Sequence, residues 1–181
     1  MPTTFIGEYL TAPADFEPVL TEKALIDLAA DPGTNTRNIL TFDQLEEAEP
    51  ASYARIVGVI EETIKDVEGT LHRYTQGIYL TPLVPFDTTV LPVLRRLARI
   101  TLLERKGILK GDVADQRRDA LIRSELAPIA SGSVTLTSTR LDDVGAGGTG
   151  NDLIVGTPDR GDYPVYSRRQ SRFPGERKFY R

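Results

Sequence analysis

Cysteine and tryptophan are absent from the 181 residues, and methionine and histidine occur once each, as Met1 and His72. Without cysteine there is no disulfide framework and no thiolate chemistry, a composition suited to a reducing compartment. A single histidine leaves no multi-histidine metal site and no Ser-His-Asp arrangement with a base to spare. His72 is expected at the surface, near a helix end. Long apolar runs are missing as well. No stretch approaches membrane-spanning length, and residues 1–8 (Met-Pro-Thr-Thr-Phe-Ile-Gly-Glu) lack the basic start and apolar core of a signal peptide. The expectation is a soluble protein that is not secreted and does not meet a membrane.

What is present is enough to build a core. At 40% hydrophobic and 27% charged residues, the chain has the makings of one globular domain plus an appendage. Its net charge of −4 hides a polarity. Residues 1–50 carry ten acids against Lys23 and Arg37, a net of −8, whereas residues 160–181 carry seven bases against Asp162 and Glu176, a net of +5. Such a dipolar chain suits subunits that meet head to tail, or a basic arm reaching an acidic partner or nucleic acid.

Apolar spacing predicts four helical stretches. The first runs from Thr21, a capping residue, to Ala30, and Asp31-Pro32-Gly33 stops it. Thr41 to Gln44 has capping-box spacing, and Pro50 opens a longer helix, to about Tyr74, in which Ile56, Ile60, Ile64, Val67 and Leu71 form one stripe. After a turn-rich link from Gln76 to Asp87, a third helix spans about Thr89 to Lys106, with Leu94, Leu97, Ala98 and Leu102 on one side and Gly107 beyond its end. Asp112 is predicted to cap a fourth, carrying Val113, Ala120, Leu121 and Leu126, which Pro128 bends or ends. Residues 133–138 alternate with period two and predict a strand or hairpin arm.

The character changes near Arg140, where glycines accumulate and apolar periodicity stops. Residues 1–139 are therefore expected to form the helical domain and 140–181 an extended tail, Gly-rich and then aromatic and basic, that orders on binding.

Chemical motifs are few. Residues 145–150 (Gly-Ala-Gly-Gly-Thr-Gly) match the dinucleotide fingerprint in letters, but no strand precedes them and no helix or ribose-binding acid follows. The overlapping Gly147 to Ile154 fits a single calcium-binding nonapeptide, which cannot build a site without stacked copies. Arg160-Gly161-Asp162 is a triplet that arises readily by chance. The acid pairs Glu46-Glu47, Glu61-Glu62 and Asp142-Asp143 are adjacent in sequence, so on a helix their carboxylates diverge and cannot share a substrate. Arg95, Arg96 and Arg99, with Arg117, Arg118 and Arg123, predict two basic edges suited to pairs between subunits or to DNA phosphates. No catalytic, cofactor or metal residues are expected.

The order of these elements resembles the phage head-tail connector (neck adaptor) family that includes the Mu-like connector proteins, over roughly Asp15 to Leu136. Asp15-Phe16 with Leu20-Thr21 is similar to the family's short opening helix. The stripe Ile60, Ile64, Val67 with Gly69 and Leu71, then Tyr79-Leu80-Thr81-Pro82-Leu83, resembles its long helix and proline-leucine exit. Leu94, Leu97-Ala98, Ile100 and Leu102 resemble its third helix, and Ala120-Leu121 through Leu126 to Gly132 its closing helix and glycine stop. The chain departs at Ile78, where an arginine is common, and at Arg118, where an aromatic is common. The resemblance implies a mainly α, four-helix adaptor domain with a short β-hairpin or arm and an extended C-terminal tail.

It further implies a non-enzymatic virion protein of the neck, present in host cytoplasm during assembly. Its partners would be identical subunits in a ring, commonly of twelve, the portal protein, a downstream neck or tail-completion protein, and genomic DNA passing through the channel without sequence-specific binding. Tyr163, Tyr166, Arg168, Arg169, Arg172, Phe173, Phe179 and Tyr180 are the expected interface residues, since buried aromatics and arginines dominate interfaces. The alternative is a helical DNA-binding or regulatory protein using the arginine edges and basic tail.

Overall fold

A computed structural model describes residues 3–17 and 19–145. The described residues belong to one compact unit. That unit is mainly helical, with no strand among the described residues. Its helices are α1 (Glu22–Ala29), α2 (Phe42–Ala48), α3 (Pro50–Thr75), α4 (Leu91–Arg105), α5 (Gly111–Leu121), α6 (Ala127–Ala130) and the short α7 (Leu141–Gly145).

Local chemistry sets most of the boundaries. Thr21 and Thr41 each cap their helix by accepting from the N–H three residues on, Ala24 and Gln44, at 3.3 Å. Gln44 Oε1 in turn accepts from Leu40 N–H at 2.8 Å. Pro50 occupies the first turn of α3, where a missing N–H costs nothing. Gly107, at φ 73°, ends α4 in the left-handed conformation that a side chain would resist. The start of α5 differs from expectation: Lys110 is its N-cap and Asp112 lies inside the first turn, where its charge meets the helix dipole.

α3 is the spine. At 26 residues it is about 39 Å long, and Ile56, Ile60, Ile64, Val67 and Leu71 are all buried along the stripe that their spacing predicts. Against it pack α1, α2, α4 and α6. Four of the residues predicted for α4, Leu94, Leu97, Ala98 and Leu102, are buried there too. On the fourth predicted stretch Leu126 is buried and Leu121 half-buried, but Ala120 faces solvent and Ala114 occupies the buried position. Pro128 explains the shape of this stretch. Lacking an N–H and crowding the carbonyl four residues back, it is accommodated by a wide π turn over Ile122–Leu126 that joins α5 to α6.

The expected strand or hairpin arm at residues 133–138 forms no ladder. Its N–H groups are already taken: Leu136 donates to Tyr79 Oη and Thr137 to Asp87 Oδ2. Backbone pairing falls just beyond, where this returning segment meets the link after α3. Thr139 N–H donates to Val84 O, Leu80 N–H to Thr139 O and Leu141 N–H to Ile78 O, around one antiparallel bridge between Tyr79 and Arg140.

Candidate interaction site

Residues 3–12 precede any helix and show no periodicity, yet Phe5, Tyr9 and Leu10 are buried. They form a hook closed by Phe5 N–H donating to Thr11 O at 2.7 Å. Phe5 meets Phe16 and Phe42 edge to face, with ring centroids 6.1 and 5.7 Å apart, and so ties the hook to the 3-10 turn Pro13–Phe16 and to α2. The hook lies along α3, and the contact is close. A methyl group added at Gly7 would come within 2.6 Å of Leu10 O and 2.7 Å of Ile64 Cγ2.

A buried carboxylate fastens it. Glu68, on α3 and 5% exposed, accepts three main-chain N–H groups, from Glu8 (3.0 Å), Tyr9 (2.8 Å) and Leu10 (3.1 Å). A carboxylate can be buried only with such partners, and here the hook backbone supplies them. Two turns earlier on α3, Glu61 Oε1 accepts Ile6 N–H at 3.1 Å. One turn later, His72 Nε2 lies 3.0 Å from Tyr9 Oη and 2.9 Å from Glu8 Oε2. His72 is thus a half-buried partner of the hook, a correction to its expected place at the surface.

Tyr9 extends the network to the link. Its hydroxyl accepts Leu83 N–H at 2.8 Å and its ring stacks on Phe86 at 4.7 Å. Burial pushes its pKa above the usual 10.0, and the nearby Glu8 and Glu68 charges add to that, while the Leu83 hydrogen bond opposes it. Tyr79, 1% exposed, and Asp87, 5% exposed, then hold the returning segment. Asp87 Oδ2 accepts both the N–H (2.7 Å) and the hydroxyl (3.1 Å) of Thr137, and Oδ1 accepts Thr89 N–H (2.9 Å). Burial works to raise the Asp87 pKa, but hydrogen bonds from Thr137 and Thr89 outweigh it and lower the value from 3.8 to about 2.

Two surfaces result. One is an open groove of about 810 Å³ between the hook and α3, bordered by Ile6, Glu8, Glu61, Glu62, Lys65 and Gly69. The other surrounds the paired link and returning segment, from which Leu80, Val84, Leu141 and Val144 point into solvent.

The expected basic edges are largely satisfied within the chain. Arg95 donates to Asp15 O, Arg118 pairs with Glu104 and Asp115, Arg96 with Glu125 at 3.5 Å, and Arg123 with Asp119 at 3.7 Å. Arg99 and Arg117 have no such partner among the described residues. Exposed pairs of this kind contribute little to stability, but they offset the charge of three of the six arginines, Arg96, Arg118 and Arg123.

Tyr163, Tyr166, Arg168, Arg169, Arg172, Phe173, Phe179 and Tyr180 lie outside the described residues, as do the glycine motif after residue 145 and the Arg160-Gly161-Asp162 triplet. The hook and its partner Glu68 were not singled out from the sequence: Glu68 is one of several acids on α3, with Asp66 on the other side of Val67, and no local signal marks it as the buried one. Among the described residues no three His, Asp or Glu side chains are grouped to hold a metal ion, and no helix is long and apolar enough to cross a membrane. No family model, no curated protein and no solved structure matches this chain.

Proposed function

We propose that the chain is a structural virion protein, a head-tail adaptor whose four-helix body forms a ring beneath the portal and whose C-terminal segment docks on it. The observation that carries this reading is the surface formed by the link and the returning segment. Four large apolar side chains, Leu80, Val84, Leu141 and Val144, stand exposed there on backbone that Tyr79, Asp87 and Tyr9 hold in place. Apolar groups on a fixed, side-chain-fastened platform are suited to a protein partner, because little ordering entropy is lost on contact. The buried polar groups support the same reading. Glu68, Asp87 and Tyr9 are committed to main-chain N–H groups, which leaves them holding the fold together and not facing a substrate.

Residues 160–181 carry a net charge of +5, opposite in sign to the −8 of residues 1–50. In this reading their aromatics and arginines make the contacts to the portal and to the neighbouring subunit, and the channel DNA passes without sequence-specific binding. Deleting residues 160–181 is expected to abolish attachment to portal-bearing heads while leaving the helical body folded; attachment at the full level would overturn the role. Titration with duplex DNA at two salt concentrations separates the DNA-binding alternative, for which tight binding with a steep salt slope is expected.

A further inference from the structure

We infer that the groove between the hook and α3 receives the arginine- and aromatic-rich segment 160–181 of a second copy of this chain. The inference rests on the ring reading above and names the contact that would join neighbours.

The groove has two unlike components. Its walls are mostly carbon: Ile6 stands 82% exposed on one lip, and on α3 a Cβ added at Gly69 would find nothing within 4 Å, so the floor is open. Its rim is acidic. Glu8 and Glu62 are exposed, Glu61 is partly so, and Lys65 is the one lysine among them. Glu61 uses Oε1 to hold Ile6, and its other oxygen has no partner among the described residues. An occupant that satisfies both components must alternate flat apolar groups with cations.

Residues 160–181 have that composition. Tyr163, Tyr166, Phe173, Phe179 and Tyr180 alternate with seven bases, six of them arginine. Arginine can pair with a carboxylate through two N–H groups while its plane lies against an aromatic ring, which is why such segments suit an acid-rimmed apolar slot. Reach is sufficient as well. The 14 residues from 146 to 159 can span up to about 46 Å, more than the length of α3. A ring needs two different surfaces on each subunit, one to give and one to receive, and the charge polarity of this chain supplies such a pair.

The test uses the full chain, followed by sedimentation over a range of concentrations. Gly69→Leu fills the groove without leaving a buried group unsatisfied, and Glu62→Arg reverses its rim. Arg168→Glu with Arg169→Glu reverses the segment. Each of the three proteins is expected to raise the apparent dissociation constant of self-association by at least about tenfold, with no fall in melting temperature. Ala120→Leu, exposed on α5, which contributes no residue to the groove, is expected to assemble as the unaltered chain does. Mixing the Glu62→Arg chain with the Arg168→Glu, Arg169→Glu chain should restore association, because the intact segment of one can enter the intact groove of the other.

Failure to restore on mixing would mean docking within one chain or on another protein, and would overturn the inference. So would unaltered assembly of Gly69→Leu, which leaves the ring reading standing. A wild-type chain that stays monomeric at every concentration would remove both.

Discussion

Replacing Glu68 by alanine takes the acceptor from three main-chain N–H groups at once, those of Glu8, Tyr9 and Leu10. A buried donor left unpaired costs about 1–3 kcal/mol, so the substitution is expected to destabilise the unit by at least about 3 kcal/mol in urea unfolding. Amide exchange of those three residues should accelerate more than that of α4. Asp87 provides an acid-sensitive counterpart. Its carboxyl titrates at about 2 in the folded chain against 3.8 when unfolded. Between those values the unfolded chain binds the proton first, so stability present above pH 3.8 is lost as the pH falls through about 2. The contribution is on the order of 2 kcal/mol. Asp87→Asn should be less stable at pH 7 and show a shallower loss of stability between pH 5 and 2, measured by urea unfolding at each pH. At this scale the sequence was partly legible. Thr21, Thr41 and Gly107 act through neighbours in the chain, and their roles could be read directly. Glu68 acts on residues about 60 positions away, and no local pattern announces such a partner.

Helices with a continuous apolar stripe were the most legible elements, and α3 ends within a residue of where its spacing predicts. Periodicity misled at residues 133–138. Alternation there reflects Leu136 and Ser138 turned inward and Thr137 outward, with the N–H groups of Leu136 and Thr137 bonded to side chains instead of a neighbouring strand. A period of two reports which side of an extended chain is buried, not what its N–H groups bond to. The hook was invisible for the opposite reason, since an irregular loop buries residues at no fixed spacing. Within α3, Gly58 is exposed and a Cβ there would meet nothing within 4 Å. Gly58→Ala should therefore stabilise the unit by about 0.5–1 kcal/mol through lower unfolded-state entropy, read as a rise in melting temperature.

For the whole chain, composition and charge polarity were legible at once, whereas the residues expected to make the interface fall outside those described. What the described unit adds is a sequence of fastenings that runs from one end of it to the other. Thr139 and Leu136 are tied to the link by Val84 and Tyr79, the link to the hook by Tyr9, and the hook to α3 by Glu68. Tyr79→Phe keeps the ring but strands the buried Leu136 N–H, and is expected to cost about 1–3 kcal/mol and to speed exchange at Leu136 and Thr139 before α3 is affected.

These fastenings also have a mechanical consequence. A pull on the chain beyond Gly145 would not peel the last helices away one turn at a time. It would load the hydrogen bonds at Thr139, Leu136, Leu83 and Glu68 in series and deliver the tension to the C-terminal half of the longest helix, as a strain-relief clamp carries a tug on a cable into the housing.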